Sequence, residues 1–399
     1  MLGFIVLIVF AILSYIKYYT LHDVRGAALV HMSNLVSHYG FCEETLDISG
    51  VNIHYVSTVC DVSGCSDVIV FIHGTASCSV TFFDVMKELS IPSKRQPDPR
   101  GYACIAIDLP NFGISGNFEV DTVPTNRELC EQYADIIGHT LYKLGILERA
   151  TLVAHSLGGF LSIFVANRFP IKKFVMLNPA GILPTLGEYG YYWAIFFKAG
   201  LPTTAFHLPI VSNEIAATIW KKYFGYDGGG LIDDKAEFWF YFFTNPYNTG
   251  HQILQRLITL KLSYSYWNTP AISILTDVYK KVPTTVCFGI NDTICPSHIG
   301  AFLSALTRGE IMAHNIQNAS HNPCDNTDDI VNFLYTLLGG KSNETNTPRL
   351  KLHQEHKTNK YIQKCKGYSY HSLTKTRESF ERVYAYLLTH TTCYPPHSE

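Results

Sequence analysis

Short runs of consecutive apolar residues, each ending in a turn-rich loop, constrain the fold of this chain more than any other feature. Val68-Ile69-Val70-Phe71-Ile72 runs into His73-Gly74-Thr75-Ala76-Ser77, and Ala103 to Ile107 runs into Asp108-Leu109-Pro110-Asn111-Phe112-Gly113-Ile114-Ser115-Gly116. Thr151 to Ala154, Phe174 to Leu177 and Thr284 to Phe288 follow the same plan, and a last strand is expected over Ile311 to Ile316. A strand with one wet face alternates apolar and polar residues, whereas an unbroken apolar run is buried on both faces. Such strands alternating with amphipathic helices predict an α/β fold, a mostly parallel sheet covered on both sides. The carboxyl ends of its strands share one edge, so the loops that follow them open together.

The flanks refine this plan. Leu46 to Val59 reads as two strands around Ser49-Gly50, the second alternating through Val51-Asn52-Ile53-His54-Tyr55-Val56 like a half-buried antiparallel strand. Thr125-Asn126-Arg127-Glu128 is a capping box that predicts a helix to about Leu144. A closing helix is expected from about Asp325 to Leu338, with Gly339-Gly340 ending it. The rhythm breaks at Asn178-Pro179-Ala180-Gly181. Residues 182–281 carry aromatic clusters instead, such as Tyr191-Tyr192-Trp193 and Phe238-Trp239-Phe240-Tyr241-Phe242-Phe243, and read as an inserted helical lid. Gly228-Gly229-Gly230 supplies a flexible point, and the aromatics together suit the wall of an apolar pocket.

Composition excludes several functions. A formal net charge of -2 leaves no electrostatic footprint for nucleic acid. The 11 cysteines form no C-x-x-C pair, and no H-E-x-x-H occurs, so no metal site or cofactor is expected. Cys60 and Cys65 are placed to pair in an oxidising compartment, the alternative being two loop thiols.

Leu2 to Ile16 is almost unbroken apolar sequence. As a helix it reaches about 22 Å, short of the ~30 Å of hydrocarbon, but extension through Leu21 with Lys17 snorkelling makes a span possible. Residues 1–22 are therefore expected to be a retained membrane anchor with Tyr15, Tyr18 and Tyr19 at the interface, a cleaved signal peptide being the competing reading. Lys17 and Arg25 follow the run, which by the positive-inside rule puts the body of the protein in the cytosol; the alternative is a secretory lumen or secretion. Sequons occur at Asn291, Asn318 and Asn343, and the first two, beside the expected active-site loops, are read as fortuitous. The tail, residues 341–399, is basic and polar, with Phe380, Val383, Tyr384, Leu387 and Leu388 sharing one face of a possible amphipathic helix.

Chemistry enters at Thr151-Leu152-Val153-Ala154-His155-Ser156-Leu157-Gly158-Gly159-Phe160. A strand–serine–helix turn holds a serine at a strained corner between small residues, in the pattern G-x-S-x-G, here with Ala154 in the first position. A serine hydroxyl needs a base within hydrogen-bond reach and a carboxylate to orient that base. The chain offers them in the order Ser156, Asp292, His321, each after a predicted parallel strand. Asp325, Asp328 or a lid carboxylate are the alternatives to Asp292. His155 is expected to pack under the turn, His73 to shape its loop, Asn291 to play no part, and Asp108 to brace its own loop.

On these residues the chain resembles the α/β-hydrolase fold superfamily, specifically its lid-bearing serine hydrolases, across about Leu46 to Leu338. The likeness rests on His73-Gly74, Asp108…Gly113-Ile114-Ser115, the Ser156 turn, Gly289-Ile290-Asn291-Asp292 and Ser320-His321-Asn322-Pro323, all in order. It implies an eight-stranded sheet in a domain spanning residues 44–340 and a serine esterase or lipase acting on a hydrophobic or lipid-like ester. It further implies Ser156 as nucleophile, His321 as base, Asp292 as its orienting carboxylate, and an oxyanion hole from the backbone N–H of Leu157 and of Thr75, with Ala76 the near alternative. The anchor-plus-hydrolase layout is similar to membrane-bound monoacylglycerol-lipase-type members. An acyltransferase using the same acyl-enzyme is the other enzymatic reading, but its H-x-x-x-x-D pattern is absent, since the fifth residue after His321 is Asn326. An epoxide hydrolase would carry Asp in place of Ser156. A non-catalytic binding scaffold is the reading from another class.

Overall fold

The structure is a computed structural model; it describes residues 29–339 apart from 75–76, 93–100, 117–125, 183–270 and single positions at 293, 296, 318, 323 and 325, together with residues 8, 9, 12 and 13. After a helix over residues 29–39 come β1 (Cys42–Ile48), β2 (Val51–Ser57), β3 (Val68–Ile72), α1 (Phe83–Ser90), β4 (Ala103–Ile107), α2 (Asn126–Lys143) and β5 (Ala150–His155). Then follow α3 (Leu157–Arg168), β6 (Lys173–Leu177), α4 (Ile272–Val278), β7 (Thr284–Gly289), α5 (His298–Leu306), β8 (Met312–Ile316) and α6 (Thr327–Leu337). The strands form one eight-stranded sheet in the order β1-β2-β4-β3-β5-β6-β7-β8. β1 and β2 pair antiparallel at one edge, β2 lies antiparallel to β4, and the remaining pairs are parallel.

The apolar runs are buried on both faces, as their lack of alternation requires. In β3, Val68, Val70 and Ile72 join one core with residues of α2, α3 and α4, while Ile69 and Phe71 point to a second with residues 32–36, α1 and α6. Full burial of each such side chain contributes about 1.5–3 kcal/mol, so the central strands are fixed in register by both layers. The β1–β2 hairpin turns through Ser49 (φ 54) and Gly50 (φ 85), the paired left-handed conformations that match the strand twist.

Four sequence expectations need correction or fall outside this frame. Cys60 is bonded to Cys42, not to Cys65: the register of β1 and β2 brings Cys42 opposite Ser57, so the turn after β2 returns Cys60 to it, with a Cα–Cα distance of 5.3 Å. Cys65 is a free thiol. α4 lies within the range read as lid, yet Ile272, Leu275 and Val278 are buried in the main core, so the sheet's own helical cover resumes before residue 281. The rest of the lid range, and the tail from 341 on, lie outside the described residues. So does most of residues 1–22; Ile8, Val9, Ile12 and Leu13 are helical and exposed. No helix among the described residues is long and apolar enough to cross a membrane.

Candidate active site

β5 ends at His155, and α3 begins at Leu157, leaving a single residue to reverse the chain. That residue, Ser156, has φ 51 and ψ -117, a backbone conformation that non-glycine residues rarely adopt. The turn is held from both sides: the Ser156 N–H donates to Leu177 O at 3.0 Å, and the N–H of Ala180 and of Phe160 donate to Ser156 O, each at 3.1 Å. Small neighbours are needed here for a measurable reason. A Cβ on Gly158 would lie 2.4 Å from His73 O and 2.6 Å from Ile72 O, so only glycine lets α3 cross the end of β3. Ala154 sits one strand residue further back, paired with Ile72 and Met176, where a methyl group fits the sheet. The departure from glycine at that position therefore does not touch the turn.

The loops after β7 and β8 bring the other two expected residues to this corner. His321 Nε2 lies 3.0 Å from Ser156 Oγ, and His321 Nδ1 lies 2.9 Å from Asp292 Oδ2. Because Nδ1 faces a carboxylate, it carries the ring's hydrogen, and Nε2 presents its lone pair to the serine hydroxyl. All three residues are buried, at 7–8% exposure. Asp292 Oδ1 accepts the backbone N–H groups of Ile294 at 2.7 Å and Cys295 at 2.8 Å. These bonds fix the carboxylate so that its other oxygen faces His321. Among the alternatives, Asp328 is exposed on α6, Asn291 is exposed and uses its N–H on Ala319 O at 2.9 Å, and Asp325 lies outside the described residues.

Two further residues complete the support. Asn178 sits just past β6 in a left-handed conformation (φ 45) and donates from Nδ2 to Asp292 Oδ2 and, at 3.2 Å, to Ser320 O; its Oδ1 accepts the Gly289 N–H at 3.2 Å. Sequence reading saw it only as the place where the strand–helix rhythm breaks. A polar residue immediately after a buried strand, at the shared edge, is the signal that would have found it. His155 is the other: its Nε2–H donates to His321 O at 2.8 Å, while its Nδ1 has no hydrogen-bond partner among the described residues. Burial, helped by the nearby His321 ring, pushes its pKa down to about 3, so it stays neutral.

The backbone N–H of Leu157 is the first of α3, one of the amides that helix geometry leaves without an intrahelical partner, and it stands next to Ser156. Thr75 and Ala76 lie outside the described residues. Their neighbour Gly74 comes close to the turn, since a Cβ on it would lie 2.9 Å from Ser156 Cβ. His73, fully buried, donates from Nδ1 to Gly74 O at 2.7 Å and accepts the Leu109 N–H on Nε2 at 3.0 Å. Burial lowers its pKa, so it shapes the loop as a neutral ring. Donor atoms of Asp292, Cys295 and His321 lie within 4.8 Å of one another. As metal ligands they fit poorly: burial pushes the Cys295 thiol well above its ordinary range, and both Asp292 oxygens are already engaged.

This arrangement can activate a serine hydroxyl, bind a developing oxyanion and hold an imidazolium. Comparison with known proteins points the same way on fold. The sequence model of the Alpha/beta hydrolase family matches residues 69–333. A protein of Mycobacterium phage D29 assigned to the non-heme haloperoxidases is 24% identical over 257 residues, 63% of this chain and 80% of its own length. A serine hydrolase of Cycloclasticus zankles superposes with a TM-score of 0.54 at 15% identity, over 75% of this chain and 98% of that one. The Cif epoxide hydrolase of Acinetobacter nosocomialis gives 0.52 at 19% identity, over 78% and 96%.

Proposed function

The chain belongs to the alpha/beta hydrolase family, and from that premise we propose that it is a serine hydrolase cleaving carboxylic esters through an acyl-enzyme on Ser156. The observation that carries this reading is the hydrogen-bonded chain Ser156 Oγ, His321, Asp292 at a strained strand–helix turn. Ser156 Oγ attacks the acyl carbonyl as His321 Nε2 takes its proton. The imidazolium so formed is stabilised by Asp292, and the tetrahedral oxyanion by the Leu157 N–H and one from the segment after Gly74, with Thr75 the expected donor. His321 then returns the proton to the departing alcohol, and water repeats the sequence in reverse to free the acid. Each backbone donor of the oxyanion hole is worth about 3–4 kcal/mol in the transition state.

The aromatic content of residues 183–270 supports a hydrophobic acyl group as substrate, and the apolar run near the N-terminus supports action at a membrane. The Cys42–Cys60 disulfide favours an oxidising compartment, hence the lumenal or secreted alternative over the cytosolic one. A fluorophosphonate probe should label the full-length protein and not Ser156→Ala, with loss of at least about 10⁴-fold in hydrolysis of nitrophenyl esters. Equal labelling of the two proteins would remove Ser156 from the mechanism. A series of nitrophenyl esters of increasing acyl length tests the substrate class: activity must rise beyond the short acyl groups.

A further inference from the structure

A second chain of titratable groups lies apart from Ser156, its inner members His54 and Asp108 buried more deeply and its outer member Glu43 reaching the surface. His54, on β2, places Nδ1 2.9 Å from Asp108 Oδ2 and Nε2 2.9 Å from Glu43 Oε1 on β1. Asp108, fully buried, stands immediately after β4. Its other oxygen, Oδ1, accepts the Ser79 N–H at 2.6 Å, and Oδ2 also accepts the Ile114 N–H at 2.9 Å. Backbone bonds tie the same place together: Asp108 N–H to His54 O at 3.0 Å, Ser115 Oγ to Asp108 O at 2.6 Å, and His54 N–H to Ser115 Oγ at 2.9 Å. Gly113, at φ 53, is the position where the loop folds back over the carboxylate, since a Cβ there would lie 2.2 Å from Oδ2.

What this cluster holds is the segment beside the nucleophile. The segment after β3 is gripped at both ends by residues 108 and 109: His73 by the Leu109 N–H on its Nε2, and Ser79 by the Asp108 carboxylate. Between the two grips Gly74 abuts Ser156, and the expected oxyanion donor Thr75 follows it in the sequence. An oxyanion hole works only when its donors are fixed before charge develops.

We propose that Glu43, His54 and Asp108 form a positioning device for the described ends of the segment after β3, His73-Gly74 and Ser79, with His54 carrying a hydrogen on each ring nitrogen opposite the two carboxylates. The inference rests on the serine-hydrolase reading above. Both ring nitrogens of His54 face carboxylates, so each must carry hydrogen for both contacts to be hydrogen bonds. Burial alone would lower its pKa, but the two carboxylates outweigh this and hold it up at about 9. The other groups facing the cluster do not carry the balancing charge. His73 is neutral through burial, burial keeps the Cys78 thiol protonated, and Ser33 only hydrogen-bonds Glu43.

The test is the rate of fluorophosphonate labelling as a function of pH, on the full chain, alongside kcat and KM for a nitrophenyl ester. In the unaltered protein labelling should fall as pH rises through about 9. His54→Gln keeps a donor toward Asp108 but no charge; it should label about tenfold more slowly at pH 7, lower kcat with little change in KM, and lose that alkaline fall. Glu43→Gln, which removes one of the two carboxylates at the edge of the cluster, should move the fall about one pH unit lower. Circular dichroism and thermal unfolding identify variants that fold; should His54→Gln fail to, Glu43→Gln carries the test. A folded His54→Gln that labels at the unaltered rate, or an alkaline fall at the same pH in the unaltered protein and Glu43→Gln, overturns the positioning role alone. No labelling of the unaltered protein at any pH overturns the serine-hydrolase reading and this inference with it.

Discussion

In the Asp292–His321 pair and in the Asp108–His54 pair alike, a carboxylate oxygen lies 2.9 Å from an imidazole Nδ1, and each aspartate side chain is wholly buried. Each aspartate also stands just past the carboxyl end of a parallel strand and accepts two backbone N–H groups. The pairs part company at the second ring nitrogen. Nε2 of His321 meets a neutral hydroxyl at 3.0 Å, whereas Nε2 of His54 meets a second carboxylate at 2.9 Å. With one carboxylate the ring keeps a lone pair and can act as a base. With two it holds both hydrogens and is a cation below about pH 9. The number of carboxylates around the ring, and not the Asp–His geometry, separates a proton carrier from a brace.

Exchanging the aspartates for asparagine gives the largest expected effects and should divide the pairs cleanly. Asp292→Asn is expected to lower kcat about 10⁴-fold with little loss of stability, because an amide that donates to Nδ1 selects the wrong tautomer of His321. Asp108→Asn is expected to cost about 3–5 kcal/mol in unfolding free energy, since it leaves His54 without its inner partner in a buried site. Urea titrations and steady-state kinetics on both proteins check this. A 10⁴-fold kinetic loss in a stable Asp108→Asn would erase the distinction.

How much of this was legible beforehand differs between the two regions for a physical reason. Ser156 and Asp292 follow buried parallel strands and His321 follows the edge strand Met312–Ile316, which carries His314 and Asn315, so the topology delivers all three to one edge. The strand bounds were readable for the same reason, as with Thr284–Gly289. The β1–β2 hairpin was readable in outline, but its cross-strand partners depend on register, which periodicity does not give. So the sequence alone does not single out Cys42 as the partner of Cys60, nor pair Glu43 with His54. Asn178 is legible only in part: its place just after a buried strand marks it as an edge residue, but its partners lie in loops more than 100 residues away, which local sequence does not identify.

The charge state of His54 makes a second prediction, on stability and pH. Its pKa is raised from the ordinary 6.5 to about 9 in the folded chain. A raised pKa means that the folded state binds the proton more tightly. The stabilisation is therefore fully present below about pH 6.5 and is lost as pH rises through about 9. At 1.36 kcal/mol per unit, that window corresponds to about 3 kcal/mol. Chemical denaturation at pH 6 and pH 9.5 should show this loss in the unaltered protein and not in His54→Gln. A loss of equal size in both would mean that His54 is not the cation of the cluster.

His155 extends the comparison to a ring with no carboxylate at all, and its effects should be the smallest. Its single bond runs from Nε2 to the backbone carbonyl of His321, and its ring centroid lies 5.0 Å from that of His321. With no carboxylate bonded to the ring, burial outweighs the more distant Asp292 charge and its pKa falls to about 3, so it adds no charge beside the base at neutral pH. A depressed pKa contributes stability that is present above about pH 6.5 and is lost as pH falls towards 3. His155→Phe removes the bond that fixes the His321 backbone but leaves the ring volume and the neutral charge. The expected result is a kcat about fivefold lower, from a hydrogen bond worth roughly 1 kcal/mol. The pH–rate profile between 5 and 8 should keep its shape, and the variant should lose stability less steeply below pH 6 than the unaltered protein. A limb of that profile that vanished in His155→Phe would mean that this ring titrates during turnover, and that a histidine here needs no carboxylate to carry a proton.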